Sequence, residues 1–214
     1  MQNILRKKFL IPLIFPIVIW IVYLVSVLFN LSFVTLGVLP REISGLVGIF
    51  FSPLIHENFS HLFSNTLPLI VLGYGVFYFY PHAAYKVILL VYLLTGSLVW
   101  MFARTAYHIG ASGIVYGFVA FIFFSGLFRR DNKSISLALV VIFLYGGLVW
   151  GIFPGQGNIS WESHAFGALS GIISAFIYRR IDPPKKYDWE DEEDEVDPRT
   201  LEVSYDPEKN KFDL

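Results

Sequence analysis

The chain has 214 residues, of which 55% are apolar and only 15% charged, where a soluble globular domain carries about 25% charged. This composition excludes an ordinary water-soluble enzyme domain and predicts a membrane protein. The net charge of −1 hides a division: residues 1–180 carry 11 basic and 4 acidic side chains, while residues 181–214 carry 5 basic and 13 acidic.

The N-terminus, MQNILRKKF, has the charged front of a signal peptide, but the long apolar run behind it meets no small-residue cleavage site and reads as a first span. A helix needs about 20 residues to cross about 30 Å of hydrocarbon. Six apolar runs meet that length loosely: 9–31, 62–80, 84–103, 111–128, 135–153 and 163–178. Their length without alternation predicts helices and not barrel strands. The expected fold class is therefore an all-α membrane protein, a six-helix bundle over residues 1–180, followed by a tail over residues 181–214. That tail, IDPPKKYDWEDEEDEVDPRTLEVSYDPEKNKFDL, has dense charge and few aliphatic side chains, and is expected to be disordered. Cysteine is absent, which removes disulfides, thiolate metal sites and thiol nucleophiles.

The basic residues nearest the spans divide unevenly. Arg6, Lys7, Lys8, Lys86, Arg129, Arg130, Lys133, Arg179, Arg180, Lys185 and Lys186 fall on one side, and Arg41 and Arg104 on the other. The positive-inside rule then places both termini in the cytoplasm, so the second, fourth and sixth spans begin on the outer side. Those spans open with HENFSHLFSN, GASG and WESHAFG. Three polar clusters, far apart in sequence, thus share one leaflet. Ser112 and His164 stand roughly 25 and 22 Å above the inner boundary at 1.5 Å per residue. Polar groups at that depth must face protein or a water-filled cavity.

A serine hydroxyl becomes a nucleophile when a base takes its proton, and histidine is the usual base near neutral pH. Ser112 and His164 are the candidate pair. Gly113 and Gly117 on one helix, and Gly167 and Gly171 on the other, have the i, i+4 spacing that lets helix backbones approach closely. Acyl transfer also needs donors for a developing oxyanion. His61 and Asn65 lie on one helix face, and the Ser112 amide lies at a helix N-terminus. Tyr116, one turn below Ser112, is placed to stack on the imidazole. No acidic residue stands where a triad would need one; Glu162 reads as a rim charge, and His82 and His108 as ordinary loop residues.

Rival chemistries fit less well. His56-Glu57-Asn58-Phe59-Ser60-His61 is one residue too long for the H-E-x-x-H zinc signature, and no metal is expected. Ile114 stands where the G-x-S-x-G hydrolase elbow requires glycine. No phosphate-binding glycine loop and no basic, aromatic-laced patch for nucleic acid is present. A transporter or channel would place ionisable groups through the midplane, whereas here they crowd one leaflet.

Residues 45–180 resemble the rhomboid family of intramembrane serine proteases. The resemblance is carried by H-x-x-x-x-H-x-x-x-N at His56, His61 and Asn65, by G-x-S-G at Gly110 to Gly113 with Tyr116 following, and by H-x-x-G-x-x-x-G at His164, Gly167 and Gly171. It implies a six-helix rhomboid-like core in which Ser112 attacks, His164 serves as base and then acid, and Tyr116 supports the ring. The Ser112 amide, His61 and Asn65 would hold the oxyanion, with His56 a supporting residue of the cavity. The implied substrates are transmembrane helices of other proteins within the lipid bilayer, cleaved without cofactor, from a multi-pass protein of the plasma membrane. A catalytically silent member that binds membrane helices is the alternative. Two departures from the family pattern occur: the first outer loop has only Arg41 where many members carry a Trp-Arg pair, and Ser163 replaces the usual alanine before the histidine. The glycine-rich loop 151–161 is expected to be a turn or a mobile cap over the site.

Overall fold

The computed structural model describes residues 2–129, 132–155, 159–183, 204–208 and 211–213. Two compact units are formed, residues 1–183 and 184–214. Among its described residues the first is built of helices joined by loops, with an isolated antiparallel bridge between Val38 and His108. Helix α1 spans Gln2–Leu28, a short α2 spans Gly48–Phe51, and α3, α4 and α5 span Phe59–Phe79, Ala84–Phe102 and Ser112–Arg129. Helix α6 spans Asn132–Tyr145 and α7 spans Trp161–Ile177. Segments Leu10–Leu28, Phe59–Phe79, Ala84–Phe102, Ser112–Arg129 and Ile135–Ile152 are long and apolar enough to cross a membrane, and α7 adds 17 residues. The outward faces are lined by large apolar side chains such as Ile14, Leu67, Leu89 and Phe143, all more than half exposed. In lipid such a face needs no protein partner.

Helix α5 forms the centre, packed against α3, α4, α6 and α7. Phe121 and Ile122 are fully enclosed there. Apolar burial drives little association between helices in lipid, so close packing of small residues must do it. A β-carbon at Gly167 would stand 2.1 Å from the Gly113 carbonyl oxygen, and one at Gly171 would stand 2.1 Å from that of Gly117. Backbone thus meets backbone along this pair. On the rest of α7, Ser170 and Ser174 are fully buried and return their hydroxyls to the carbonyls of Phe166 and Ser170, at 2.7 and 2.8 Å. This is the usual way a helix keeps a small polar side chain in an apolar setting.

The fifth apolar run is not α-helical to its end. From Gly146 to Ile152 it tightens into a 3-10 helix, beginning at the Gly146-Gly147 pair. Glycine weakens the α-helix by about 1 kcal/mol per residue, so the winding changes where two occur together.

The connection from α1 to α3 is ordered by bonds to the C-terminal end of α4. Arg41, at φ 63, donates from Nη1 to the Ala103 carbonyl at 2.7 Å and from Nη2 to Thr105 Oγ1 at 2.9 Å. Trp100 Nε1 donates to the Glu42 carbonyl at 2.9 Å. The tryptophan beside this arginine therefore comes from α4 and not from the same loop. At the opposite end of the bundle, Asp182 accepts from the amides of His82 and Ala83 at 3.1 and 3.0 Å and meets the His82 ring. It joins the chain after α7 to the start of α4.

In the second unit, Ser204–Asp206 pairs antiparallel with Lys211–Asp213. A lone two-stranded hairpin is marginal in water. Most of the acidic tail, and residues 156–158 of the glycine-rich loop, lie outside the described residues, so the expectations of a disordered tail and a mobile cap fall largely there.

Candidate active site

The first turns of α3, α5 and α7 lie at one end of the bundle. Ser112 opens α5, and the turn before it depends on Gly110, whose φ of +106 is a conformation L-residues rarely adopt. A β-carbon at Gly110 would also meet His61 Cε1 at 2.6 Å. The glycine is required twice over, for the turn and for the imidazole against it. Its amide donates to the Ser52 carbonyl at 2.9 Å, which ties the serine turn to the α1–α3 connection.

Ser112 Oγ lies 2.8 Å from His164 Nε2, and His164 Nδ1 lies 2.9 Å from the Gly151 carbonyl oxygen. A carbonyl only accepts, so Nδ1 carries the proton and Nε2 presents its lone pair to the hydroxyl. The Tyr116 ring stacks on His164 with centroids 4.1 Å apart and planes 7° from parallel. The tyrosine hydroxyl in turn donates to the Leu148 carbonyl at 2.8 Å. Both carbonyls belong to the 3-10 segment, so this turn sets the imidazole's tautomer and the pose of the ring stacked on it. Gly151 must be glycine because a β-carbon there would fall 2.0 Å from the tyrosine oxygen.

On α3, Asn58 caps the helix by accepting from the His61 amide at 2.9 Å. Asn65, buried, donates its amide to the His61 carbonyl at 2.8 Å, and His56 meets His61 edge to face at 5.0 Å between centroids. His56 Nε2 accepts from the Ala111 amide at 3.4 Å. Burial, reinforced by the neighbouring His61, pushes the His56 imidazole down to about 4, so it is neutral at physiological pH. Ser112, His164 and Tyr116 are thus in direct contact. His56, His61 and Asn65 form a second group, which reaches Ser112 through Gly110 and Ala111.

Two expectations need correction. Glu162 is not a rim charge; it is 3% exposed, with Oε1 3.5 Å from Arg104 Nε. It does not face the imidazole Nδ1, which Gly151 occupies. His108 is not an ordinary loop residue either. It is buried, its Nε2 donates to the Arg104 carbonyl at 3.0 Å, and its Nδ1 meets Ser160 Oγ at 2.6 Å. That hydroxyl caps α7 by accepting from the Ser163 amide at 3.2 Å, and it contacts Ser163 Oγ at 2.7 Å. The serine that departs from the family's alanine thus helps anchor the helix that carries His164. His82, the other residue assigned to an ordinary loop, does lie in an exposed turn, where it meets Asp182 at the far end of the bundle. Backbone carbonyls such as those of Leu148 and Gly151 carry no signal in sequence, whereas the Gly146-Gly147 pair does mark the change of winding.

The Rhomboid domain family matches residues 43–181. The chain belongs to the rhomboid family. This rhomboid is 37% identical over 174 residues to an uncharacterized protein of Mycobacterium tuberculosis, a match covering 73% of this chain and 70% of the relative. It is 33% identical over 174 residues to an uncharacterized protein of Mycobacterium leprae, covering 77% and 69%. The rhomboid domain and its apolar helices make the protein an integral membrane protein with a helical-bundle fold.

Proposed function

We propose that this rhomboid is an intramembrane serine protease that hydrolyses peptide bonds in or near transmembrane helices of other membrane proteins. The observation that carries the reading is the 2.8 Å contact of Ser112 Oγ with His164 Nε2, with Nδ1 on a carbonyl and Tyr116 against the ring. His164 takes the hydroxyl proton as Ser112 attacks the scissile carbonyl. The Ser112 amide, His61 and Asn65 donate to the oxyanion that forms. Asn65 spends an amide proton on its own helix in the resting state, so the incoming oxyanion takes its place beside a partner already made. His164 then returns the proton to the leaving amine, and water attacking the acyl-enzyme by the same route completes the cycle.

The distribution of basic residues supports cytoplasmic termini and a site open to the other face of the plasma membrane. Two assays test the reading: labelling by a serine-directed fluorophosphonate, and cleavage of a membrane-helix substrate in liposomes, each with wild type and Ser112→Ala. Labelling and cleavage that both vanish in the variant bear the proposal out. Capture of the helix by wild type without cleavage would favour a silent binder.

A further inference from the structure

Helix α1 and the connection that follows it enclose a cavity of about 260 Å³, apart from the site. Its walls include Val22 and Val25 of α1 and Leu36, Phe51, Leu54 and Ile55 of the connection, and no polar atom faces it. Val22 stands six residues before Leu28, about 9 Å down the membrane-spanning helix. Phe51 is exposed at the mouth, as are Phe50 and Val47 before it, so the cavity opens on the apolar outer surface of the bundle. A void of this kind forfeits dispersion contacts on every wall. Water does not fill it, because it would find no hydrogen-bond partner there. A peptide segment fits no better, since its backbone groups would be left unpaired against such walls. The occupant must lack polar atoms over its buried length, and the bilayer around the mouth supplies one.

The wall of this cavity also carries the bonds that hold the turn before Ser112. Ser52, between Phe51 and Leu54, accepts from the Gly110 amide at 2.9 Å. His56, next to Ile55, accepts from the Ala111 amide at 3.4 Å. We propose that the cavity binds one acyl chain of a phospholipid, from the leaflet at the site's end of the bundle, and that its occupancy steadies the turn presenting Ser112. A chain between Val25 and Leu54 keeps residues 51–55 from collapsing toward α1. The two amide bonds made from that wall then open less often. Neither the binding nor its effect on the turn requires the protein to cleave anything.

The test uses the full chain in nanodiscs with a trace of phosphatidylcholine carrying a diazirine in mid-chain. Photolabelling should concentrate on the residues of the cavity. Val25→Trp fills the cavity from α1 and Leu36→Trp fills it from the connection, so in either folded variant labelling there should fall by about tenfold, as when about two methylene groups are displaced. Leu24→Trp, on the exposed side of the same helix, should leave it unchanged. Label spread evenly over the outer faces of α1 and α6 overturns the proposal. So does labelling that vanishes from the cavity in discs holding two chains, which would make a second copy the occupant. Hydrogen exchange reads the second half: the Gly110 and Ala111 amides should exchange severalfold more slowly in detergent once phosphatidylcholine is added, with saturation near one lipid per chain. Exchange that stays unchanged while the cavity is labelled overturns the link to the serine turn.

Discussion

Gly167 of α7 lies so close to Gly113 of α5 that a single β-carbon would stand 2.1 Å from the Gly113 carbonyl oxygen. Ser112 and His164 sit one and three residues before these glycines, so the distance between hydroxyl and imidazole depends directly on the helix contact. Gly167→Val should therefore force the helices apart and destabilise the bundle by about 1–3 kcal/mol. Because a displacement of about 1 Å can cost 100-fold in rate, activity should fall at least that far. Melting in detergent and cleavage assays measured side by side would check both numbers.

The 3-10 turn offers a separable test. Gly151→Ala places a methyl group 2.0 Å from the Tyr116 hydroxyl, at the two bonds that fix the imidazole. The α5–α7 packing is untouched, so kcat should drop by about 100-fold with a small change in melting temperature. Tyr116→Phe keeps the stack and removes only the bond to Leu148; a loss of about 0.5–1.5 kcal/mol is expected, read as a modest fall in melting temperature.

Acid should weaken the fold through His56. Its imidazole lies near 4 when folded and near 6.5 when free, so the unfolded chain binds the extra proton. Stability from this group is complete above 6.5 and is lost as the pH falls from 6.5 to about 4, by on the order of 2–3 kcal/mol. His56→Asn should flatten that part of the melting-versus-pH curve. A curve of unchanged slope would contradict the assignment.

At the far end, Asp182 accepts the amides of His82 and Ala83, at the start of α4. Asp182→Ala should cost about 1–2 kcal/mol, as the loss of a helix cap does, and leave the pH dependence of cleavage unchanged. Thermal melting and a pH profile on the same preparation distinguish the two effects.

By itself the sequence determined what chain chemistry alone dictates. Apolar runs of membrane length require helices, and polar residues at the start of the second, fourth and sixth runs must then gather at one end of the bundle. The i, i+4 glycines of residues 113, 117, 167 and 171 set which faces can approach closely. Tertiary structure decided the rest, because each remaining feature depends on atoms brought from elsewhere in the chain. A carbonyl has no identity in sequence, so only the fold shows that Gly151 and Leu148 orient the imidazole and the tyrosine. Nor does sequence reveal whether a charge at a helix N-terminus faces water; Glu162 lies inside because Arg104, 58 positions earlier, folds back beside it. His108 is likewise buried by its pairing with Val38 and Ser160, contacts that no local pattern announces.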